Sequence, residues 1–448
     1  MWFREFSPPS ARRCPVWGQI GAAVLLGLIQ LPHADAQSVL ASAQQLGISP
    51  TDVPSEFIDA ALSSGINPAA LTSGLGLPPG VSAAGSAFQL PGQLYLDAPL
   101  VYGPLSVRPN LSYSTLYNDG LPTSPGMRAD SWIDTVSAGF LATWGERLIL
   151  DYTLAQAWYS GDEFEDTLDH DLNFSGAFTI GESPISVVQS YRTDSSPQLE
   201  SFGQTNEEIA VTSISTSYPL TNRWSLEGSG SQSLRFIEAD EDQYSWNGNL
   251  RARASLTDRS TVAIGVSGGY VAIAKNADTI FWGPQSQFTW QPGDKLSLTS
   301  SVGYQERYTY DSRTPKTVDG TFDLGMEWQP WIYTVITAKG RQDLQPSLFN
   351  GQTQFSRGWN AGIQQRLLGR VFLNAAFARE DVEYRPGPQS PDPTLRTDVV
   401  EVLTIGASVT VLKRLLISIT LQRTDNQSSL ADFDYDAISL GATFSYSF

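Results

Sequence analysis

The chain has 448 residues, of which 46 are acidic and 28 are Lys or Arg, so its formal net charge is −18. One Cys and two His are too few for a disulfide scaffold or a thiolate zinc site. The acidic balance argues against binding of nucleic acid, and the slightly negative mean hydropathy argues against a bundle of membrane helices. Few charges (17%) and many aromatics (11%) fit a barrel whose strands alternate apolar and polar residues.

Residues 1–36 are predicted to form a secretory signal peptide. Arg12 and Arg13 give a basic start, the apolar stretch 18–31 follows, and Ala34 and Ala36 form a small-x-small cleavage site. The apolar stretch is shorter than the roughly 20 residues of a membrane-spanning helix. An uncleaved anchor is the alternative. Cleavage would leave a chain without cysteine, which suits an oxidising compartment outside the cytoplasm.

Residues 37–104 are predicted to form a separate N-terminal helical or linker segment. Ser49 and Asn67 each precede a Pro, which is the chemistry of a helix N-terminus. The pattern predicts short helices near 50–63 and 68–73. Two interpretations remain open for this segment: a plug or docking element for a partner, and a loosely ordered linker.

From residue 105 to residue 448 the sequence alternates with a period of two. Leu415, Ile417 and Ile419 share one face, because successive side chains of a strand point to opposite sides of a sheet. The alternating segments run for about 10–15 residues, which is enough for a tilted membrane strand of about 9–11. The pattern therefore predicts an all-β fold with one apolar face and one small or polar face.

Short polar turns alternate with long acidic or Pro/Gly-rich connections along this region. The long connections are predicted at 119–130, 161–165, 194–203, 237–242, 310–316, 346–351 and 384–396. This asymmetry is typical of a transmembrane antiparallel up-and-down β-barrel, whose short turns lie in the periplasm. Counting between turns predicts eighteen strands. Sixteen is the alternative, because the strand predicted at 185–193 is weak and the alternation at 204–219 slips, which we interpret as a β-bulge.

The aromatic side chains fall into two groups that match the two interfaces of a bilayer. The group near the short turns comprises Trp144, Phe178, Tyr218, Trp224, Trp290, Trp328 and Trp331. The group near the long connections comprises Trp132, Trp158, Trp246, Trp282 and Trp359.

The end of the chain resembles the assembly signal of Gram-negative outer-membrane β-barrels, including porins. A terminal aromatic residue follows apolar or aromatic residues at every second position: Leu440, Ala442, Phe444, Tyr446 and Phe448. The resemblance implies a location in the bacterial outer membrane and recognition of this strand by the barrel-insertion machinery.

The last hairpin loosely resembles the porin-type barrels found beside exopolysaccharide genes. The residues that carry this narrower resemblance are Asp425-Asn426-Gln427 in the loop and Phe433-Asp434-Tyr435-Asp436 at the start of the last strand. It implies a role in moving polysaccharide or small solutes across the outer membrane.

No catalytic residue, cofactor or metal ion is predicted. Cleavage of the signal peptide would leave His170 as the one histidine, between Asp169 and Asp171. By parity the imidazole lies on the lipid-facing side with Leu168 and Leu172. A hydrolase that uses this imidazole as its base is the least favoured hypothesis, because such chemistry needs a nucleophile or a metal beside the base.

The other face of the predicted strands carries charges that could line a pore and set its ion selectivity. These candidates are Asp151, Asp169, Asp171, Glu227, Arg235, Arg251, Arg253, Arg307, Asp319, Asp323 and Glu327. Eighteen strands enclose more space than side chains alone fill. The sequence thus predicts an outer-membrane channel for small solutes or saccharides. A closed barrel that binds a partner is the main alternative, and the oligomeric state is left open.

Overall fold

The structure is a computed structural model. It describes residues 100–447 except for 125, 146, 199–202, 239–241, 274–277, 310–315, 347–351, 387–395 and 412–413. The predicted signal peptide, the predicted helices of the N-terminal segment and Phe448 lie outside the described residues. None of the described helices is long and apolar enough to cross a membrane.

Twenty-one strands and one short 3-10 helix, Ala431–Phe433, make up the described part of the chain. The strands are β1 Leu100–Tyr102, β2 Leu105–Ser124, β3 Met127–Trp144, β4 Leu148–Tyr159, β5 Thr167–Ile180, β6 Ser183–Asp194, β7 Pro197–Gln198, β8 Gly203–Gln204, β9 Glu207–Pro219, β10 Trp224–Ile237, β11 Gln243–Thr257, β12 Ser260–Ile273, β13 Thr279–Gly293, β14 Leu296–Thr309, β15 Thr317–Trp331, β16 Thr334–Pro346, β17 Gln352–Leu367, β18 Val371–Pro386, β19 Arg396–Val411, β20 Leu415–Ser428 and β21 Tyr435–Ser447.

Eighteen long strands close into one antiparallel barrel. Each long strand pairs with its neighbours along the chain, and β6 pairs directly with β9 because β7 and β8 form a small hairpin of their own. The last strand returns to the first, with Asn110–Asn118 of β2 antiparallel to Ser439–Ser447 of β21. The predicted all-β, antiparallel up-and-down barrel of eighteen strands is confirmed. The alternative of sixteen strands is wrong, since β6 pairs along most of its length with both β5 and β9.

Two local expectations are wrong. The segment 119–130 is not a loop, because β2 and β3 continue as a long hairpin to Ser124 and Met127. Its register shifts after Asn118, whose side chain accepts a hydrogen bond from the Gly120 amide, so the strand bulges and continues. Conversely, β9 has no bulge, and its register is unbroken against both β6 and β10. The apparent slip arises because Ile209 and Val211 are buried on the inward row, whereas Ile214 and Tyr218 are exposed on the outward row, so the apolar residues change parity without a change of register.

The two ends of the barrel differ. One end has short turns, and glycines such as Gly145 and Gly181 supply the positive φ angles that two of these turns require. The other end carries the long connections. β2 begins and β21 ends at the short-turn end, as an even number of antiparallel strands requires.

The outward face is apolar and solvent-accessible, and the inward face is polar. Ile264 and Val266 of β12 are 65% and 51% exposed, whereas the intervening row contains Ala263 and Gly265. The tryptophans of both predicted belts are between 40% and 67% exposed. On β13, Trp282 and Trp290 lie eight residues apart, which is about 27 Å along the strand and about 21 Å after a tilt of roughly 40°. The outward face therefore matches the height of a hydrocarbon layer.

Closure of the barrel predicts a specific covalent cross-link between its first and last strands. Ser112 and Ser445 are register partners across the β2–β21 pair, so cysteines at these positions lie within the roughly 4.4–6.8 Å Cα separation of a disulfide. In a Cys14→Ser background, Ser112→Cys/Ser445→Cys should form a disulfide on mild oxidation, read as a mobility shift on a non-reducing gel.

The matched control is Ser112→Cys/Ser439→Cys, because Ser439 pairs with Asn118 six residues further along β2. Equal cross-linking of both pairs, or of neither, would contradict the closure.

Candidate functional site

The interior wall of the barrel is the candidate functional site, and all eleven predicted charged residues lie on its rows. Their positions follow from register. Glu227 is the partner of Arg251, and both have the same parity as the buried Arg235. Further along the inner wall, Asp323 on β15 is the partner of Arg341 on β16. Whether these residues line an open pore remains a prediction.

Glu227 joins two of the predicted arginines. Its carboxylate oxygens lie 2.8 Å from Arg253 Nε and 3.5 Å from Arg251 Nη2. Arg251 also donates to Gln287 Oε1 at 2.8 Å. Because strands β10 and β11 are neighbours, residues that alternation puts on the same face meet across the pair. This wall segment is therefore held by a network rather than by isolated charges.

Arg235 forms a fully buried ion pair with Glu207, which the sequence analysis missed. The two side chains are 2% and 1% exposed, and the Arg235 guanidinium donates through Nε and through Nη2 to both carboxylate oxygens. Glu207 begins β9, where the period-two pattern is weakest, so alternation did not identify it. A buried charge is costly unless it is paired, so each residue requires the other.

Two further ion pairs join residues that are distant in sequence, and a third joins neighbours on one strand. Arg341 on β16 lies 3.0 Å from Glu380 on β18. Arg385 lies 3.2 Å from Asp319, one of the predicted residues, although they are 66 residues apart. Arg396 pairs with Asp398 on its own face of β19. In each of these three ion pairs, a carboxylate of the barrel wall neutralises the charge of the arginine.

Not every inward carboxylate has such a partner. Asp151 faces the like charge of Asp171 and forms no ion pair with a basic residue within the described strands. Glu327, near the short-turn end, likewise has no ion pair or hydrogen bond to another described residue and is exposed. The interior wall consequently carries negative charge without a basic partner at Asp151 and at Glu327.

A connection folds inward at the long-loop end, and we call its described residues, 195–198 and 203–206, the strap. The amide and the hydroxyl of Ser196 both donate to Asp194 Oδ1. Its hairpin, β7 and β8, contacts β2, and Pro197 is fully buried. Gln204 exchanges two hydrogen bonds of 2.7 Å with the backbone of Glu165. The strap is therefore held between the end of β6, strand β2 and the connection that precedes β5.

His170 lies on the outward face, as its parity predicts. Its Nδ1 is 3.0 Å from the hydroxyl oxygen of Tyr152 on the neighbouring strand. Asp169 and Asp171 point to the inward face, so neither carboxylate flanks the imidazole. This arrangement does not provide the polarised Asp–His pair that the hydrolase hypothesis requires. Among the described residues, no group of three or more His, Cys, Asp or Glu side chains could hold a metal ion.

Removal of one member of the buried pair should destabilise the barrel strongly. Glu207→Ala leaves the Arg235 charge buried without its carboxylate, which costs about 3–5 kcal/mol in the free energy of unfolding. The double variant Glu207→Leu/Arg235→Met should lose much less, because apolar side chains replace both charges. Urea titration of the refolded protein in detergent measures both.

Asp436→Asn is the matched control, because its ion pair with Arg423 is about half exposed on both sides and is screened by water. A loss as large as that of Glu207→Ala in this control, or no loss in Glu207→Ala, would contradict the assignment of the buried pair.

Neither a protein-family model nor a curated protein sequence matches the chain. Solved structures of other barrels are similar to it. OpdK of Pseudomonas aeruginosa, determined with vanillate, is 10% identical with a TM-score of 0.45, and the match covers 76% of this chain and 99% of that one. OccAB3 of Acinetobacter baumannii is 9% identical with a TM-score of 0.42 over 76% and 99% of the two chains. The FrpB iron transporter of Neisseria meningitidis is 10% identical with a TM-score of 0.42 over 72% and 62%. The barrel fold of this chain is established by its own strand register.

Proposed function

We propose that the chain forms a water-filled passage for small solutes across the outer membrane of a Gram-negative bacterium. The observation that carries the proposal is the division of an eighteen-stranded closed wall into an exposed apolar outer face and a charged inner face. A soluble protein rarely exposes apolar surface on this scale. A barrel of this strand number encloses an aqueous channel unless another element fills it.

The orientation follows from the two ends. Short turns face the periplasm and long loops face outside in barrels of this type. The strap and the buried ion pair therefore lie toward the cell exterior. The outward residues Leu440 and Phe444 of β21 are 46% and 41% exposed, and the last strand is proposed to engage the barrel-insertion machinery. No enzymatic activity is proposed.

We further propose that the transported solutes are saccharides, including exopolysaccharide. Hydroxyl and amide side chains dominate several inward rows, for example Ser229, Ser231 and Ser233 on β10. Such groups can exchange hydrogen bonds with the hydroxyls of a sugar.

The alternative, a closed barrel that binds a partner, is favoured by a different observation: inward residues near the long-loop end, such as Asn426 and Asp398, are almost fully buried.

Liposome swelling separates the two functions. Refolded full-length protein in liposomes should admit arabinose rapidly and larger saccharides such as raffinose more slowly, because the closed wall limits the width of the passage. Folding is checked independently by heat-modifiable gel migration. A folded barrel that admits no solute would refute the passage and support the closed barrel.

The uncompensated interior carboxylates predict a preference for cations. Asp151→Asn/Glu327→Gln should reduce the ratio of cation to anion permeability, because both negative charges face the passage without a basic partner. The reversal potential in a salt gradient across a planar bilayer measures this ratio. Asp436→Asn removes an outward carboxylate and should leave the ratio unchanged. The account is contradicted if only the outward variant changes it.

A further inference from the structure

A cavity of about 410 Å³ lies against the inner wall beside the strap. It is bounded by strands β2 to β6, by β20 and β21, and by Ser196 and Pro197 of the strap. Its volume falls within the roughly 300–1,000 Å³ of small-molecule sites. Ser196 and Pro197 of the strap thus bound this part of the interior on one side.

The cavity has one apolar side and one charged side. Leu116, Leu121 and Ile133 belong to β2 and β3 and provide the apolar side. Asp169 and Arg192 belong to β5 and β6 and contribute to the charged side. A ligand that fills it must present both a nonpolar surface and hydrogen-bonding groups.

Asp169 offers an unused acceptor. Its Oδ2 accepts a hydrogen bond from the Thr167 hydroxyl at 3.2 Å, and Ser195 of the strap lies against the same carboxylate. Its Oδ1 is buried and has no hydrogen-bond partner among the described residues. A buried acceptor without a partner costs folding free energy, so a ligand that donates a hydrogen bond to this oxygen would be stabilised.

Arg192 offers unused donors on the same wall. It is the register partner of Asp171, two residues from Asp169 on the same face of β5. Its Nε and one terminal nitrogen, Nη2, are buried and lack hydrogen-bond partners among the described residues. The unpartnered acceptor and donors thus belong to two side chains that line the cavity and are diagonal neighbours of one strand pair.

This combination selects a ligand by its chemistry. An amine could satisfy Asp169 but would be repelled by Arg192 and would leave its donors unpaired. An organic anion could satisfy Arg192 but would meet the carboxylates of Asp169, Asp171 and Asp194. A hydroxyl group both donates and accepts. Adjacent hydroxyls on a ring with a nonpolar face satisfy both side chains and cover the apolar side.

We propose that this cavity binds a neutral sugar residue, with Asp169 accepting from one hydroxyl and Arg192 donating to its neighbour. The inference deepens the proposed function, since the ligand reaches the cavity through the passage. It assigns the cavity as a saccharide-binding position beside the strap.

Saturation-transfer difference NMR on refolded full-length protein in detergent tests the site without requiring transport. Glucose and maltose are the probes, and benzylamine and benzoate are the charged comparison ligands. Wild-type protein should give a saturable sugar signal and weaker signals from both charged ligands. Asp169→Leu and Arg192→Met should each weaken sugar binding by about tenfold or more, as expected for loss of a hydrogen bond to a charged group.

Two further variants serve as controls, one that fills the cavity and one that changes a carboxylate outside it. Ala155→Phe fills the cavity from β4 without removing either charged group and should also abolish the signal. Asp381→Asn alters an exposed carboxylate on the outer face of β18, away from the cavity, and should leave binding unchanged. Gel migration confirms that each variant is folded.

The proposal is overturned if folded wild-type protein gives no saturable sugar signal, if either charged ligand binds more tightly than the sugars, or if the cavity variants bind like Asp381→Asn. Sugar binding without solute entry into liposomes would refute the passage and leave the site intact. Solute entry without sugar binding would refute the site alone.

Discussion

The hydrogen bonding of the peptide backbone is the constraint on which the rest of this structure depends. Within hydrocarbon no water can satisfy an amide or a carbonyl group, so a sheet that crosses a membrane must have no free edge. The pairing of β2 with β21 removes that edge and brings together residues more than 300 positions apart in the sequence. Closure with eighteen strands sets the size of the interior and gives the sheet one inner and one outer face.

Closure also explains why the inner wall is held by charges. Eighteen strands enclose an interior too wide for a packed apolar core, so the inward side chains are stabilised by one another. Glu207 with Arg235, and Glu227 with Arg251 and Arg253, join neighbouring strands through paired charges. The contact between Arg385 and Asp319 spans strands that are not adjacent in the wall. The strap then uses the polar wall as its docking surface, with Asp194 holding Ser196.

Alternation predicted the strands well because the apolar outer face imposes it directly. On β12, for example, Val262, Ile264 and Val266 lie on the apolar outer face while small residues face inward. Glu207 was not predicted, because the apolar residues of β9 change parity: Ile209 and Val211 share its buried row, whereas Ile214 is exposed on the other row. The strap and the pairing of Arg385 with Asp319 could not be predicted either, because they depend on barrel curvature and on the path of a connection, neither of which leaves a periodic signal. The unpartnered donors of Arg192 could not be predicted for the same reason.

Single-channel conductance of the refolded full-length protein in a planar bilayer tests the central claim, that the closed wall surrounds an open aqueous passage. The account predicts stable conductance steps from protein whose heat-modifiable migration shows a folded barrel. A folded barrel that inserts into the bilayer and passes no current would contradict it, because the interior would then be sealed.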